Sequence, residues 1–125
     1  MDIQKIYIVE DEIGIRLLLT EVMKQLGYDV QSYEEVDQAI EAVQNAKPDV
    51  LFVDFMIGNV SGDQLLKSLQ KQQIFIPTVV MSGRAASEIK QYFTDLQVDL
   101  FLEKPFSVED VQHILKKISQ KVIKA

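Results

Sequence analysis

Four apolar runs in this sequence lead into polar or charged residues. Glu10-Asp11-Glu12 follows "IYIV", Asp54 follows "VLFV", Ser82-Gly83 follows "TVVM", and Lys104-Pro105 follows "LFLE". A carboxylate at the end of an apolar run needs a partner, because burying an unpaired charge is costly. Phe55 and Met56, the next residues after Asp54, offer it none. If the runs are neighbouring strands, which lie ~4.8 Å apart, Glu10, Asp11 and Asp54 crowd together. Such a cluster stays ionised at neutral pH only with a cation among its members. The set contains no His or Cys, so a hard ion is expected. A few carboxylates on an open edge, with room for water and a phosphoryl oxygen, favour Mg2+ over a caging Ca2+ site.

These ends meet only if the chain folds so as to bring them side by side. "KIYIV" (5 to 9) reads as a short strand, and residues 12 to 26 carry Ile15, Leu18, Leu19, Val22 and Leu26 at helical spacing, with Gly27 as the closing C′ residue. The pattern recurs. "YDVQSY" (28 to 33) alternates, and residues 36 to 45 hold Ala39, Ile40 and Val43 on one stripe. Pro48 then precedes "DVLFVD", and Leu65, Leu66 and Leu69 mark a third helix over 61 to 72. After Pro77 come "TVVMS", an amphipathic segment over 85 to 96 with Ile89, Tyr92 and Phe93, "DLFLEKP", and a last helix from Ser107 to about Ile123. Ser107 and Asp110 have capping-box spacing at its start.

Five strands, each followed by a helix, indicate an α/β fold: a doubly wound parallel sheet with helices on both faces. Runs one, three and four are almost wholly apolar, as central strands are, whereas runs two and five alternate, as edge strands can. The order 2-1-3-4-5, the flavodoxin-like one, puts the alternating runs at the edges. Ligands then bind beyond the carboxyl ends of the strands, between the first and the third, where Glu10, Asp11 and Asp54 lie. Residues 1–125 are expected to form a single domain, with no linker, repeat or low-complexity stretch.

In order and spacing, "IYIVEDE", "LFVDFMIGNVSG", "TVVMSG" and "LFLEKPF" resemble the receiver domain of two-component response regulators, chemotaxis-regulator-like, over essentially the whole chain. The resemblance implies that Asp54 accepts a phosphoryl group from a phosphohistidine on a sensor histidine kinase or a phosphotransfer protein. It implies Mg2+ held by Asp11 and Asp54 directly, by Glu10 through water, and by the backbone carbonyl of Met56. Ser82 and Lys104 would hold phosphoryl oxygens, and the Lys104–Pro105 peptide is expected to be cis. Phe101 matches the aromatic switch residue that turns inward with Ser82, and the face built from the fourth helix, fifth strand and fifth helix would carry the signal to a downstream protein. The chemistry suits the residue types: a carboxylate is a competent nucleophile, and phosphoryl transfer is mostly positioning and charge neutralisation. Such a domain promotes its own phosphorylation and dephosphorylation but is a switch, not a turnover enzyme. Phosphorylation-dependent dimerisation is left open.

The sequence departs from the family's pattern in places. Gly58 stands where many receivers have proline, which would loosen the loop after Asp54. Met56 and Arg84 occupy positions that tune the phosphoryl lifetime. Simpler readings exist for single residues: Asp54 or Ser82 as turn residues, Lys104 as a solvated charge, Phe101 as core, Glu12 as an acid at a helix N-terminus. The convergence of four strand ends outweighs them. His113, the only histidine, is expected on the surface and not as a phosphodonor.

Three rival functions were weighed. A haloacid-dehalogenase-type phosphatase needs a second carboxylate two residues after its nucleophile, and Met56 stands there. A flavodoxin-type flavin module would offer hydroxyls and amides to a phosphate, where Glu10-Asp11-Glu12 would repel one. A receiver-like interaction module that is never phosphorylated would not need the complete acidic set. A net charge of −6 argues against direct nucleic-acid binding. No apolar run is long enough to span a membrane, and the absence of cysteine fits a cytoplasmic protein.

Overall fold

The computed structural model describes residues 3–124, with side chains as far as Val122. The elements run β1 (Lys5–Val9), α1 (Ile13–Gln25), β2 (Asp29–Tyr33), α2 (Val36–Asn45), β3 (Val50–Asp54), β4 (Met56–Ile57), β5 (Val60–Ser61), α3 (Gly62–Lys71), β6 (Thr78–Ser82), α4 (Ala86–Ile89), β7 (Leu100–Glu103) and α5 (Val108–Lys124). Five of the strands form a parallel sheet in the order β2-β1-β3-β6-β7. This is the doubly wound order expected from the sequence, its last two strands numbered six and seven because β4 and β5 form a separate hairpin.

Strand alternation divides the core. Ile6, Ile8, Val50, Phe52, Val79 and Met81 face one side, under α1 and α5. Tyr7, Val9, Leu51, Val53 and Val80 face the other, under α2, α3 and the α4 segment. Central strands β1, β3 and β6 therefore bury side chains on both faces, while the edge strands β2 and β7 are only partly buried.

Helix ends follow local chemistry. Gly27, at φ +97°, closes α1, its N–H donating to the Lys24 carbonyl and that of Tyr28 to the Met23 carbonyl, the paired bonds of a Schellman motif. Ser107 and Asp110 form the reciprocal capping box: each backbone N–H donates to the other's side chain, at 2.9 and 3.1 Å.

Two expectations need correction. The buried stripe of α1 is Leu19, Val22 and Met23, whereas Leu18 and Leu26 are exposed. Met23 packs under the sheet because it lies one turn beyond Leu19, and Leu26 falls at the helix end. The segment over 85 to 96 is not one helix either. It is a single α-turn followed by a 3₁₀ turn, Lys90–Phe93, after which Asp95 takes φ +66°. Ile89 and Phe93 are nonetheless buried as expected, whereas Tyr92 is exposed, because the 3₁₀ turn replaces the regular helix.

Candidate phosphoacceptor site

Register brings the polar strand ends together. Val9 pairs with Val53, so Glu10 and Asp54 leave adjacent strands at the same level. Asp54 lies opposite Met81, and Ser82 opposite Glu103. The Lys104 N–H donates to the Ser82 carbonyl at 2.7 Å, placing the lysine beside the end of β6. The Lys104–Pro105 peptide is cis.

At this edge Lys104 bridges two carboxylates. Its Nζ is 2.7 Å from Glu10 Oε1 and 3.2 Å from Asp54 Oδ2. Glu10 is fully buried and Asp54 nearly so. Carboxylate oxygens of Glu10, Asp11 and Asp54 lie within 4.8 Å of one another. Burial, the largest influence, pushes the Glu10 carboxyl up to about 7 from 4.5; the Lys104 hydrogen bond opposes the rise and the charge of Asp54 adds to it. Burial alone would lower the Lys104 ammonium, but its bond to Glu10 and the charges of Asp54 and Glu10 outweigh that and hold it above its ordinary value.

Counting oxygens separates the three acids. Glu10 Oε1 accepts from Lys104, and its Oε2 accepts from the Glu12 N–H at 3.2 Å. Asp11 Oδ2 accepts from the Gly58 N–H at 2.8 Å, and Asp54 Oδ2 faces Lys104. One oxygen each of Asp11 and Asp54 has no partner among the described residues. An all-oxygen set of this size fits a hard divalent cation.

The loop after Asp54 carries the Met56 carbonyl, the further ligand that the resemblance implies. Gly62 donates its N–H to the Phe55 carbonyl, a bond that flanks the Met56–Ser61 pair of the hairpin, while the Phe55 N–H donates to the Met81 carbonyl. Pairs alternate in an antiparallel ladder, so Met56 and Ser61 are a non-bonded pair and the Met56 carbonyl is free of the hairpin. Gly62 itself is required by space: a Cβ there would lie 2.5 Å from the Asp54 carbonyl oxygen.

Ser82 is buried, and its hydroxyl oxygen accepts from the Arg84 N–H at 2.9 Å. Among the described residues it makes no hydrogen bond to Asp54. Phe101 is half-buried, edge-on to Phe93 at 6.1 Å, with Lys90 Nζ 5.9 Å from its ring centre. Phe93 in turn packs on Phe55, the neighbour of Asp54. His113 is exposed.

Three contributors went unnoticed in the sequence. Arg16 Nη1 donates to the backbone carbonyls of Glu10 at 2.9 Å and Asp11 at 3.4 Å, fastening the loop that carries both acids. The Gly58 amide and the small side of Gly62 are the others. Arg16 is the one charge within the apolar run Ile13 to Leu19, a signal the periodicity reading passed over.

Residues 6–116 match the family model described as response regulator receiver domain. The chain belongs to this family. The receiver is 29% identical, over 92% of its length, to the alkaline phosphatase synthesis transcriptional regulatory protein PhoP of Bacillus subtilis, and covers 48% of that protein. It is also 29% identical to the sporulation initiation phosphotransferase F of Bacillus subtilis, covering 91% of this chain and 92% of the other. Among solved structures, the chemotaxis response regulator CheY4 of Vibrio cholerae superposes with a TM-score of 0.84 at 25% identity, covering 93% of this receiver and 98% of that chain. The receiver spans about half the length of the transcriptional regulators it matches. It is homologous to phosphoacceptor response regulators, whose standard function is phosphorylation on aspartate. No described helix is long and apolar enough to cross a membrane.

Proposed function

We propose that Asp54 is the phosphoryl acceptor of a Mg2+-dependent switch, receiving the group from a phosphohistidine of a sensor histidine kinase or phosphotransfer protein. The observation that carries this reading is the Lys104 bridge between buried Glu10 and Asp54, set among three converging carboxylates. Asp11 and Asp54 would hold the cation directly through their unpartnered oxygens, with the Met56 carbonyl as a further ligand. Glu10, whose oxygens are both engaged, would act through water. When bound, the cation supplies positive charge against the acceptor and the transferring oxygens.

The chain's own residues do the rest. An Asp54 oxygen attacks phosphorus as the bond from phosphorus to the donor imidazole breaks, the electron pair leaving with the nitrogen. Lys104 is already within 3.2 Å of Asp54 and needs only a small movement to meet a phosphoryl oxygen. The Ser82 hydroxyl accepts from Arg84 and keeps its own proton to donate, so it can turn to a second phosphoryl oxygen. The added charge of about −1.5 to −2 draws both groups inward. Phe101, linked through Phe93 and Phe55 to the acceptor, then repacks toward the sheet and changes the surface of α4, β7 and α5. This surface meets a downstream protein rather than nucleic acid. Residues 1–125 act as one receiver unit in the cytoplasm, a switch and not a turnover enzyme.

The test is incubation with Mg2+ and acetyl phosphate, followed by intact-mass measurement. A phosphoryl mass gain in the wild type and none in Asp54→Asn is expected. No gain in the wild type, or an equal gain in both, defeats the assignment.

A further inference from the structure

We propose that Gly58 is a positioning residue for the cation site, its backbone N–H fixing the Asp11 carboxylate so that one oxygen is left for metal. The inference rests on the reading that Asp11 is a metal ligand. Gly58 and Asn59 form the two-residue loop joining β4 to β5. Gly58 has φ +62° and Asn59 is not among the positive-φ residues, the sign pattern of a II′ turn. Ile57 and Val60 close this turn, so the ladder makes no use of the Gly58 N–H. It points out of the hairpin and donates to Asp11 Oδ2 at 2.8 Å, across 47 residues of chain.

The glycine expected to loosen this loop therefore fastens it. Proline has no N–H and holds φ near −65°, so it could supply neither the bond nor the turn. With Oδ2 held, Asp11 presents a single oxygen, which suits an ion that takes few protein ligands better than one that favours bidentate carboxylates. The same hairpin leaves the Met56 carbonyl free, so one short loop serves the site twice: it orients one donor and carries another. Hydrogen bonds that orient metal ligands in this way typically govern affinity by tenfold or more.

Mg2+ affinity is measured by calorimetry and by amide shifts in NMR spectra, without a phosphodonor. Gly58→Pro is expected to weaken Mg2+ at least about tenfold. Gly58→Asn keeps the N–H, tolerates positive φ and has open space for its side chain, so it should bind within about threefold of wild type despite some loss of stability. In an Asp11→Asn background, Gly58→Pro should cost little further affinity, because its effect passes through Asp11. An undiminished further loss there would assign the effect to the Met56 carbonyl and overturn the proposal. If Gly58→Pro does not fold, the wild type decides: the Gly58 amide should stay protected from hydrogen exchange with Mg2+ bound, and its release on loading would refute the role. Wild type that binds Mg2+ while Gly58→Pro binds equally well also refutes it. Wild type that binds no Mg2+ defeats the underlying reading instead.

Discussion

Substituting Glu10 with Gln in metal-free protein isolates the most perturbed carboxyl of the site. Glu10 is fully buried, with Lys104 on one oxygen and the Glu12 amide on the other. Its folded pKa is raised from 4.5 to about 7. Between these values the folded protein keeps a proton that the unfolded chain has released, so stability falls as pH rises. The contribution is complete below about 4.5 and is lost as pH passes through about 7. At about 1.36 kcal/mol for each pH unit the full effect is about 3 kcal/mol, most of which falls between pH 5 and pH 8. That is a large part of the 5–15 kcal/mol typical of a domain, and corresponds to about 1–2 M in urea midpoint. Urea unfolding followed by far-ultraviolet circular dichroism, with EDTA present, reads it at each pH. Gln does not titrate, so the difference between wild type and Glu10→Gln should shift by about 2–3 kcal/mol in favour of the variant from pH 5 to pH 8. Parallel pH profiles for the two proteins would refute the reasoning, since every other carboxyl is common to both.

Four further outcomes are expected. Lys104→Met leaves Glu10 buried without its cation, so the loss in stability should reach about 3–5 kcal/mol at pH 8 and be much smaller at pH 5, where Glu10 is neutral; denaturant titration at both values checks this. Gly62→Ala forces a Cβ toward the Asp54 carbonyl and should cost about 1–3 kcal/mol by urea unfolding while slowing mass gain from acetyl phosphate. Ser107→Ala removes half of the capping box of α5 and should cost about 1 kcal/mol, read from the same unfolding curves. Mg2+ at one hundred times its dissociation constant should stabilise the wild type by about 2.7 kcal/mol, and the same concentration should do far less for Asp11→Asn, as measured by thermal unfolding.

The fold was legible because burial on both faces of a sheet leaves near-continuous apolar runs, as in "VLFV", and half-buried edges leave alternation, as in "YDVQSY". Gly27 and the Ser107–Asp110 pair were legible because they act within a few residues of chain. The α4 segment was not. Ile89 and Phe93 lie four residues apart, the spacing of one α-helical turn, and both are buried, so the pattern reads as α-helix although the backbone tightens to 3₁₀ from Lys90. Hairpin β4–β5 escaped notice for a related reason: two-residue strands are too short for periodicity to register.

The site divides along the same line. Side-chain chemistry announces itself by residue type, and Glu10, Asp11, Asp54 and Lys104 do meet. What residue type cannot express is which oxygen of each acid is already engaged. Glu10 and Asp11 are adjacent carboxylates, yet Glu10 has both oxygens occupied by Lys104 and the Glu12 amide, whereas Asp11 has one held by the Gly58 amide. Two of those three donors are backbone N–H groups, which every residue but proline carries and no sequence motif displays. On the proposed reading, the difference between an acid that touches a cation and one that works at a remove is therefore set by the paths of two loops. It follows that replacing Glu12 by Gln should leave Glu10 as it is, since only the backbone of residue 12 takes part, whereas proline at 12 would free Oε2 and bring Glu10 closer to the behaviour of Asp11. A Glu10 carboxyl titration, followed by NMR in the two variants, distinguishes these outcomes. Equal shifts in both would show that the Glu12 amide has no hold on Glu10.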